Sequence, residues 1–524
     1  MPEYLHPGVY IEEIERGPRP IEGVPTSTAA FLGEAERGSI TPRLVNSYKD
    51  YQRWFGDVFD PNKLLPYAVN GFFENGGKRM YLCRLVGDGA AQAAATFGDF
   101  TVRAAGPGLW GSRVKVKISD GRTKKADGSS VGFRLQLAYW GREPVPDFDP
   151  FVERGRLPRP DLTEEFDDLE TDESSPNFYG KRFPFIDVEK GETNQGPESS
   201  ALGVLVRPVG VPPGARPGNG IQVLGGGADD AAALDVADYQ GLKLGGRTVV
   251  QGLSALELDP YREVALVYAP AVSNDITLAI ISHCEKERFR FAVVDAGLGQ
   301  ADAGSLDPRT TIPVDTTYAA FYYPWIVTSD PRTGARKLVP PGGHVLGIYA
   351  RTDAERGVFK APANETVRGA LALEYDINDG LQDVLNPRGV NAVRQFPGRG
   401  IRVWGARTLT SNALWKYVSV RRLFIFLERS IYEGTQFVVF EPNDDRLWAR
   451  VTDTIRLFLR GQWRLGALFG RTEQEAFFIT CDRTTMTQDD ILNGRLICEI
   501  GIAPVRPAEF VVFRIFQNTA EAQR

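Results

Sequence analysis

Only three histidines, His6, His283 and His344, are available in the 524 residues for general-base chemistry near neutral pH. A Ser–His–Asp triad would draw on Ser273 or Ser282, on His283 or His344, and on Asp275 or Asp295. No serine is read as lying in a Gly-x-Ser-x-Gly elbow. His283 has Ala279, Ile280 and Glu287 at helical spacing, which makes no nucleophile–base pair, and His344 follows the breakers Pro340-Pro341-Gly342-Gly343. Cys83, Cys284, Cys481 and Cys498 form no CxxC and read as four reduced thiols. The acidic run Glu164-Glu165-Phe166-Asp167-Asp168-Leu169-Glu170 lacks the spaced Asp/Asn/Gly pattern of a calcium loop and reads as a solvated face on a surface insertion. Gly76-Gly77-Lys78 lacks the upstream glycine of a phosphate loop and reads as a helix C-cap and turn. The glycines of 297–304 are spaced wrongly for a dinucleotide fingerprint, so that stretch is a loop. The expectation is no catalytic site, no metal and no cofactor.

The elements that would have to position these residues read as several domains. Hydrophobic content of 42% and 24% charged residues describe a globular chain with ample core, and its length suits three to four domains. A formal charge of -6 gives no reason to expect a nucleic-acid partner. No apolar stretch has membrane-spanning length and Met1-Pro2-Glu3-Tyr4 begins no charged-then-apolar leader, so neither membrane insertion nor secretion is expected. Arg outnumbers Lys about three to one, which suits bidentate contacts between subunits as well as a coding bias.

Residues 26–96 follow an α/β pattern: a strand at 29–33, helices at 48–55 and 64–74, and a strand at 79–85. Residues 97–225 read as mostly β, with strands at 100–105, 114–118 and 133–137 and a Pro-, Asp- and Glu-rich stretch at 144–196. Residues 226–385 hold a βαβ unit, strand 264–268, helix 276–287 and strand 291–295, which predicts a parallel sheet. A strand at 318–323 and a helix at 344–352 follow. Residues 386–505 read as α+β, with a helix from near 411 through 428, a second over 447–464, and strands at 477–482 and 496–502.

Both chain ends look like strands made for another sheet. Val9, Tyr10, Ile11 and Glu12 are fenced by Pro7-Gly8 and by Gly17-Pro18-Arg19-Pro20, giving an arm and linker over 1–25. Phe510, Val511, Val512, Phe513 and Ile515 follow Pro504 and Pro507 in an arm over 506–524 that is apolar on both faces. A terminal strand on a Pro/Gly-rich tether can add to the open edge of a neighbouring copy, and that makes polymers.

Five segments carry a family resemblance. They are Pro7-Gly8-Val9-Tyr10-Ile11-Glu12-Glu13, the run 353–364 that opens Asp353-Ala354-Glu355-Arg356-Gly357, the run 399–408 around Trp404, Phe440-Glu441-Pro442-Asn443-Asp444-Asp445-Arg446-Leu447-Trp448, and Pro507-Ala508-Glu509-Phe510-Val511-Val512. In that order they resemble the tail sheath proteins of contractile phage tails and related injection systems. The resemblance implies a structural subunit without an enzyme's chemistry. It implies that 226–385 is a subtilisin-like α/β domain with a parallel sheet and no working triad. The α+β C-terminal domain would exchange the two terminal strands with neighbours, and the mostly-β region would decorate the outside. The partners implied are further copies of the chain in a helical sheath, an inner tube protein, and baseplate and tail terminator or cap proteins. Assembly would take place in a bacterial cytoplasm. Asp489, Asp490 and Asn493 are candidates for the tube contact, with a helix N-cap as the plainer reading. Two other readings are carried: a tubular protein that never contracts, and a cryptic hydrolase using His283 or His344.

Overall fold

A computed structural model describes residues 20–194, 200–241 and 251–514. The chain divides into two compact units, one of residues 25–421 and one in which residues up to 24 join those from 422 on.

The larger unit is built on a nine-stranded sheet. Its six central strands, Val390–Phe396, Ala319–Tyr323, Phe291–Asp295, Leu266–Tyr268, Ala29–Gly33 and Met80–Arg84, run parallel. Arg43–Val45 closes one edge antiparallel, and Gly400–Val403 followed by Glu365–Thr366 closes the other. Ala29–Gly33 and Ala319–Tyr323 are buried along their whole length, which accounts for unbroken apolar runs where an exposed sheet would alternate. The expected βαβ unit is present as Leu266–Tyr268, the helix Asn274–Glu287 and Phe291–Asp295. Ser273 caps that helix by accepting from the Ile276 amide, and Ile276, Ile280, Ile281 and Cys284 turn into the core with Ala30, Leu32 and Val294.

One sheet therefore runs through what the sequence divides at residues 96 and 385. Ala29–Gly33 lies between Met80–Arg84 and Leu266–Tyr268, so the N-terminal α/β stretch supplies strands to the same layer as residues 266–323, and 390–403 continue it. Strand order joins segments more than 200 residues apart, which no local pattern encodes. Across one layer the helices Leu65–Glu74 and Gly342–Arg356 meet at glycines: a Cβ on Gly343 would lie 2.4 Å from the Ala68 carbonyl oxygen, and one on Gly347 would lie 2.4 Å from that of Phe72.

Residues 94–223 hold two antiparallel-rich sheets over a shared apolar core that includes Phe100, Val116, Leu137, Tyr179 and Leu205. Here the acidic run, read as a solvated face, is a strand with Glu165 exposed and Glu164, Asp167 and Asp168 half-buried. Leu162–Leu169 is a strand of the four-stranded sheet, paired with Phe133–Tyr139. Arg134 and Arg122 meet Glu165 at 2.5 and 3.2 Å, and Glu164 accepts from the Ser200 hydroxyl and the Ala201 amide. Cations on neighbouring segments offset the charge that alone would favour a solvated loop.

The helix expected from 411 begins later, as Val418–Gly434, and belongs to the smaller unit only from residue 422 on. Asp315 accepts from the Thr410 hydroxyl and from both the amide and hydroxyl of Ser411, and these local bonds hold a turn where a helix would otherwise start. The helix Asp445–Arg464 buries Leu447, Val451, Ile455 and Leu459, the expected stripe, and Asp444 caps it by accepting from the Arg446 and Leu447 amides. Residues 20–24 pack on Val418–Gly434: Ile21 is buried and the Val24 amide donates to the Ser430 hydroxyl at 3.2 Å. No helix among the described residues is long and apolar enough to cross a membrane.

Candidate assembly surfaces

The residues with catalytic potential are occupied separately. His283 is buried, with Arg290 Nη1 2.5 Å from its Nε2 and Glu257 Oε1 3.8 Å from its Nδ1. Burial and then the charges of Arg290 and Lys286 push it down to about 3, so it is a neutral acceptor beside a guanidinium. His344 is buried where the two glycine-rich helices meet, and burial lowers it to about 4. Asp295 accepts from the Tyr268 hydroxyl and the Gly342 amide, Ser273 is a helix cap, and Ser282 and Asp275 are exposed. Among the described residues no hydrogen bond joins a serine to either histidine. The sequence does contain one Gly-x-Ser-x-Gly match, residues 128–132 around Ser130, which sequence reasoning passed over. It sits in the turn between the antiparallel strands Val114–Asp120 and Phe133–Tyr139, where Ser130 accepts from Lys124 Nζ at 2.6 Å, and not at the strand-to-helix turn that a nucleophile elbow needs.

Among the described residues the smaller unit exposes apolar side chains most densely. It supplies about a fifth of the described residues and half of the exposed large apolar side chains. Its two-stranded sheet pairs Phe477–Thr480 with Glu499–Ile502, antiparallel, and neither strand has a second strand neighbour among the described residues. Beyond it, the Phe469 amide donates to the Ala503 carbonyl and the Val505 amide to that of Ala467, so pairing continues to 505 and then ends. Phe510, Val511, Val512 and Phe513 follow with 72, 67, 77 and 85% of their surface exposed and no strand pairing to other described residues. The sequence predicts a strand there; among the described residues it pairs with none. Val9, Tyr10, Ile11, Glu12 and Ile515 lie outside the described residues.

The candidate tube contact resolves into local roles. Asp490 forms a capping box with Thr487, accepting from its amide and hydroxyl, on the short helix Gln488–Leu492. Asn493 donates to the Asp489 carbonyl, and Arg495 lies 3.4 Å from Asp489 and 3.2 Å from Asp490. Asp489 stays exposed, and so does Leu492 beside it, which sequence reasoning missed. It also missed Phe440, fully exposed at a backbone φ of 67°, and exposed Phe469 and Phe478. Phe437-Val438-Val439-Phe440 ahead of Pro442 was the available signal: an apolar run stopped by a breaker just before a helix cap.

Two family models match consecutively, the phage tail sheath protein central domain over residues 242–409 and the phage tail sheath C-terminal domain over 410–518, together just over half of the chain. The chain belongs to the phage tail sheath protein family. Among relatives of this sheath-family chain, the tail sheath protein of Vibrio phage KVP40 is 25% identical over 233 residues, 44% of this chain and 33% of that one. A prophage major tail sheath protein of Pseudomonas aeruginosa is 22% identical over 294 residues, 55% of this chain and 72% of that one. The chain thus spans about a third of the length of the first of these sheath proteins. In fold it is similar to the sheath of an extracellular contractile injection system in the contracted state, with a TM-score of 0.57 and 23% identity over 100% of both chains. It is also similar to the contracted helical sheath of the anti-feeding prophage, at 0.55 and 23% over 98% of this chain and 99% of that one. A sheath tail protein from Listeria innocua matches at 0.56 and 12% identity over 93% of this chain and 96% of that one. The sheet of the larger unit begins well before the central-domain match, because residues 29–84 supply three of its strands.

Proposed function

We propose that this chain is the structural subunit of a contractile sheath, which polymerises around an inner tube and contracts to drive that tube through a target envelope. The observation that carries the reading is the run Phe510, Val511, Val512, Phe513, apolar and unpaired among the described residues, a few residues beyond a two-stranded sheet that has no further strand on either edge among those residues. A strand added from a neighbouring copy would satisfy both. Each backbone hydrogen bond gained contributes about 0.5–1.5 kcal/mol net, so an arm of a few residues is worth several kcal/mol and a lattice of arms far more. Val9, Tyr10, Ile11, Glu12 and Ile515 complete the two arms in this proposal.

The parallel order of Leu266–Tyr268, Phe291–Asp295 and Ala319–Tyr323 supports the subtilisin-like reading of residues 226–385. Asp489, Asp490 and Asn493, with exposed Leu492 nearby, are the proposed tube contact, and the β-rich region 97–225 the outer decoration. Contraction proceeds by rotation and repacking of near-rigid subunits after a baseplate trigger, without cofactor, nucleic acid or membrane insertion. Baseplate and terminator proteins close the two ends, and assembly takes place in a bacterial cytoplasm.

Negative-stain electron microscopy of the purified chain, with and without residues 1–20, tests the proposal. Hollow tubes of two diameters, lost on deletion, are expected. Tubes of one fixed diameter would favour a static structural protein, and well-behaved monomers from the intact chain would overturn arm exchange.

A further inference from the structure

Cys481 and Cys498 stand directly opposite one another. The register of the two-stranded sheet runs Phe477↔Ile502, Phe478↔Gly501, Ile479↔Ile500, Thr480↔Glu499, and its next step is Cys481 opposite Cys498. The Ala503 amide donates to the Ala476 carbonyl at 2.9 Å, which makes 476/503 a hydrogen-bonded pair. Alternation along an antiparallel ladder then makes 481/498 a non-hydrogen-bonded pair, the class with Cα atoms about 4.5 Å apart and side chains closest, inside the span a disulfide bridges. Cys481 is buried and Cys498 half-buried, and both are free thiols. The intervening residues 482–497 already fold back on themselves, with the Thr485 hydroxyl donating to the Ile497 carbonyl at 2.9 Å at the base of the loop.

We propose that Cys481 and Cys498 are an oxidation site, forming a cross-strand disulfide when the folded chain meets a low-molecular-weight disulfide. Cys498, the more accessible, gives its proton to solvent and attacks one sulfur of the small disulfide, expelling a thiolate. Cys481, deprotonated in turn, attacks the Cys498 sulfur of the mixed disulfide and expels the second thiolate. Two protein thiols are oxidised to one disulfide, the small disulfide is reduced to two thiols, and those thiols take up the two protons. Burial and the neighbouring thiol push Cys498 up to about 12 and burial raises Cys481, so the exchange speeds up with pH and stays slow in a reducing compartment. The bond closes residues 482–497 into a covalent loop at the root of the C-terminal segment. It requires only the hairpin and is independent of the sheath reading.

The test incubates the purified full-length chain with glutathione disulfide at mildly alkaline pH, quenches by alkylation, and reads intact mass and a tryptic map. The expected result is the loss of two hydrogens and two of the four alkylatable thiols, with peptide 472–483 cross-linked to peptide 496–514. Cys83 and Cys284, fully buried in the larger unit, remain reduced and serve as internal controls. Cys481→Ser should stop at a glutathione adduct on Cys498, and Cys498→Ser should leave Cys481 free. The proposal is overturned if the wild-type chain keeps all four thiols, or halts at a stable adduct. The wild-type mass and map decide the matter even where a serine variant fails to fold.

Discussion

The hydroxyl of Tyr268 donates to Asp295 Oδ2 at 2.6 Å while Oδ1 of the same carboxyl accepts from the Gly342 amide at 2.8 Å. One side chain thereby ties two adjacent parallel strands to the first residue of the helix Gly342–Arg356. Burial pushes this carboxyl up to about 7. The folded chain keeps a proton that the unfolded chain releases near pH ~4, so the stabilisation is complete below ~4 and is lost as pH rises through the folded value. Asp295→Asn keeps the shape and cannot ionise. Its thermal midpoint should exceed the wild type's on the alkaline side of neutrality, with the gap closing as pH falls toward about 4, and curves that stay parallel across that range would contradict the assignment.

Glycine-to-alanine changes should have opposite signs at two helical sites. On Gly343 the new methyl would meet the Ala68 backbone, which cannot swing aside, and a loss of about 1–3 kcal/mol or more is expected. Gly461, inside the helix Asp445–Arg464, has nothing within 4 Å of a built Cβ, and the same change there should gain about 0.5–1 kcal/mol through helix propensity. Urea unfolding of both variants, each followed by a probe in its own unit, checks the contrast.

Arg207 and Asp187 form a buried ion pair between the neighbouring strands Gly203–Arg207 and Phe185–Asp187, with Glu173 3.5 Å from the same guanidinium. Asp187→Ala leaves the guanidinium buried beside its partly exposed second partner, and should cost about 3–5 kcal/mol. Pairing it with Arg207→Met should restore most of the loss. Hydrogen exchange over residues 185–207 reads both; equal protection in the single and double variants would mean that the pair is not the source.

Phe510→Asp and Val512→Asp separate folding from assembly. Both side chains are mostly exposed in the single chain, so the melting midpoint should stay within about 0.5 kcal/mol equivalents of wild type. Tube formation, followed by sedimentation, should be lost, because a charge would enter the sheet of the neighbouring copy. Tubes formed at the wild-type yield would remove this segment from the interface.

The legible part of this fold was its local part. The helix Tyr48–Phe55 and the strands Ala29–Gly33 and Phe291–Asp295 fall where the sequence puts them, because caps such as Ser47 and wholly apolar strand cores act over a few residues. The common sheet of residues 29–84, 266–323 and 390–403 was not legible, since neighbours in it are set by packing between distant segments. The ion pairs of Glu165 and Asp167 were not legible because their cations, Arg122 and Arg134, stand more than 30 residues away. Of the candidate site, the apolar character of 510–513 was plain from residue types. The isolation of that run, and the exposure of Phe440, Phe469 and Leu492, needed coordinates, because a sequence does not say which apolar residues find partners in their own chain.

Residues 20–24 lie on Val418–Gly434, Ile21 buried there and Val24 bonded to Ser430, and the C-terminal segment leaves from the same small unit. In a lattice whose copies are linked through their ends, tension entering at one end has a short route to the other: a tether, one helix and a hairpin. If copies are linked in this way, the hydrogen bonds of Phe477–Thr480 with Glu499–Ile502 and the packing of Ile21 would carry the pull, and loosening either would lengthen that route under load.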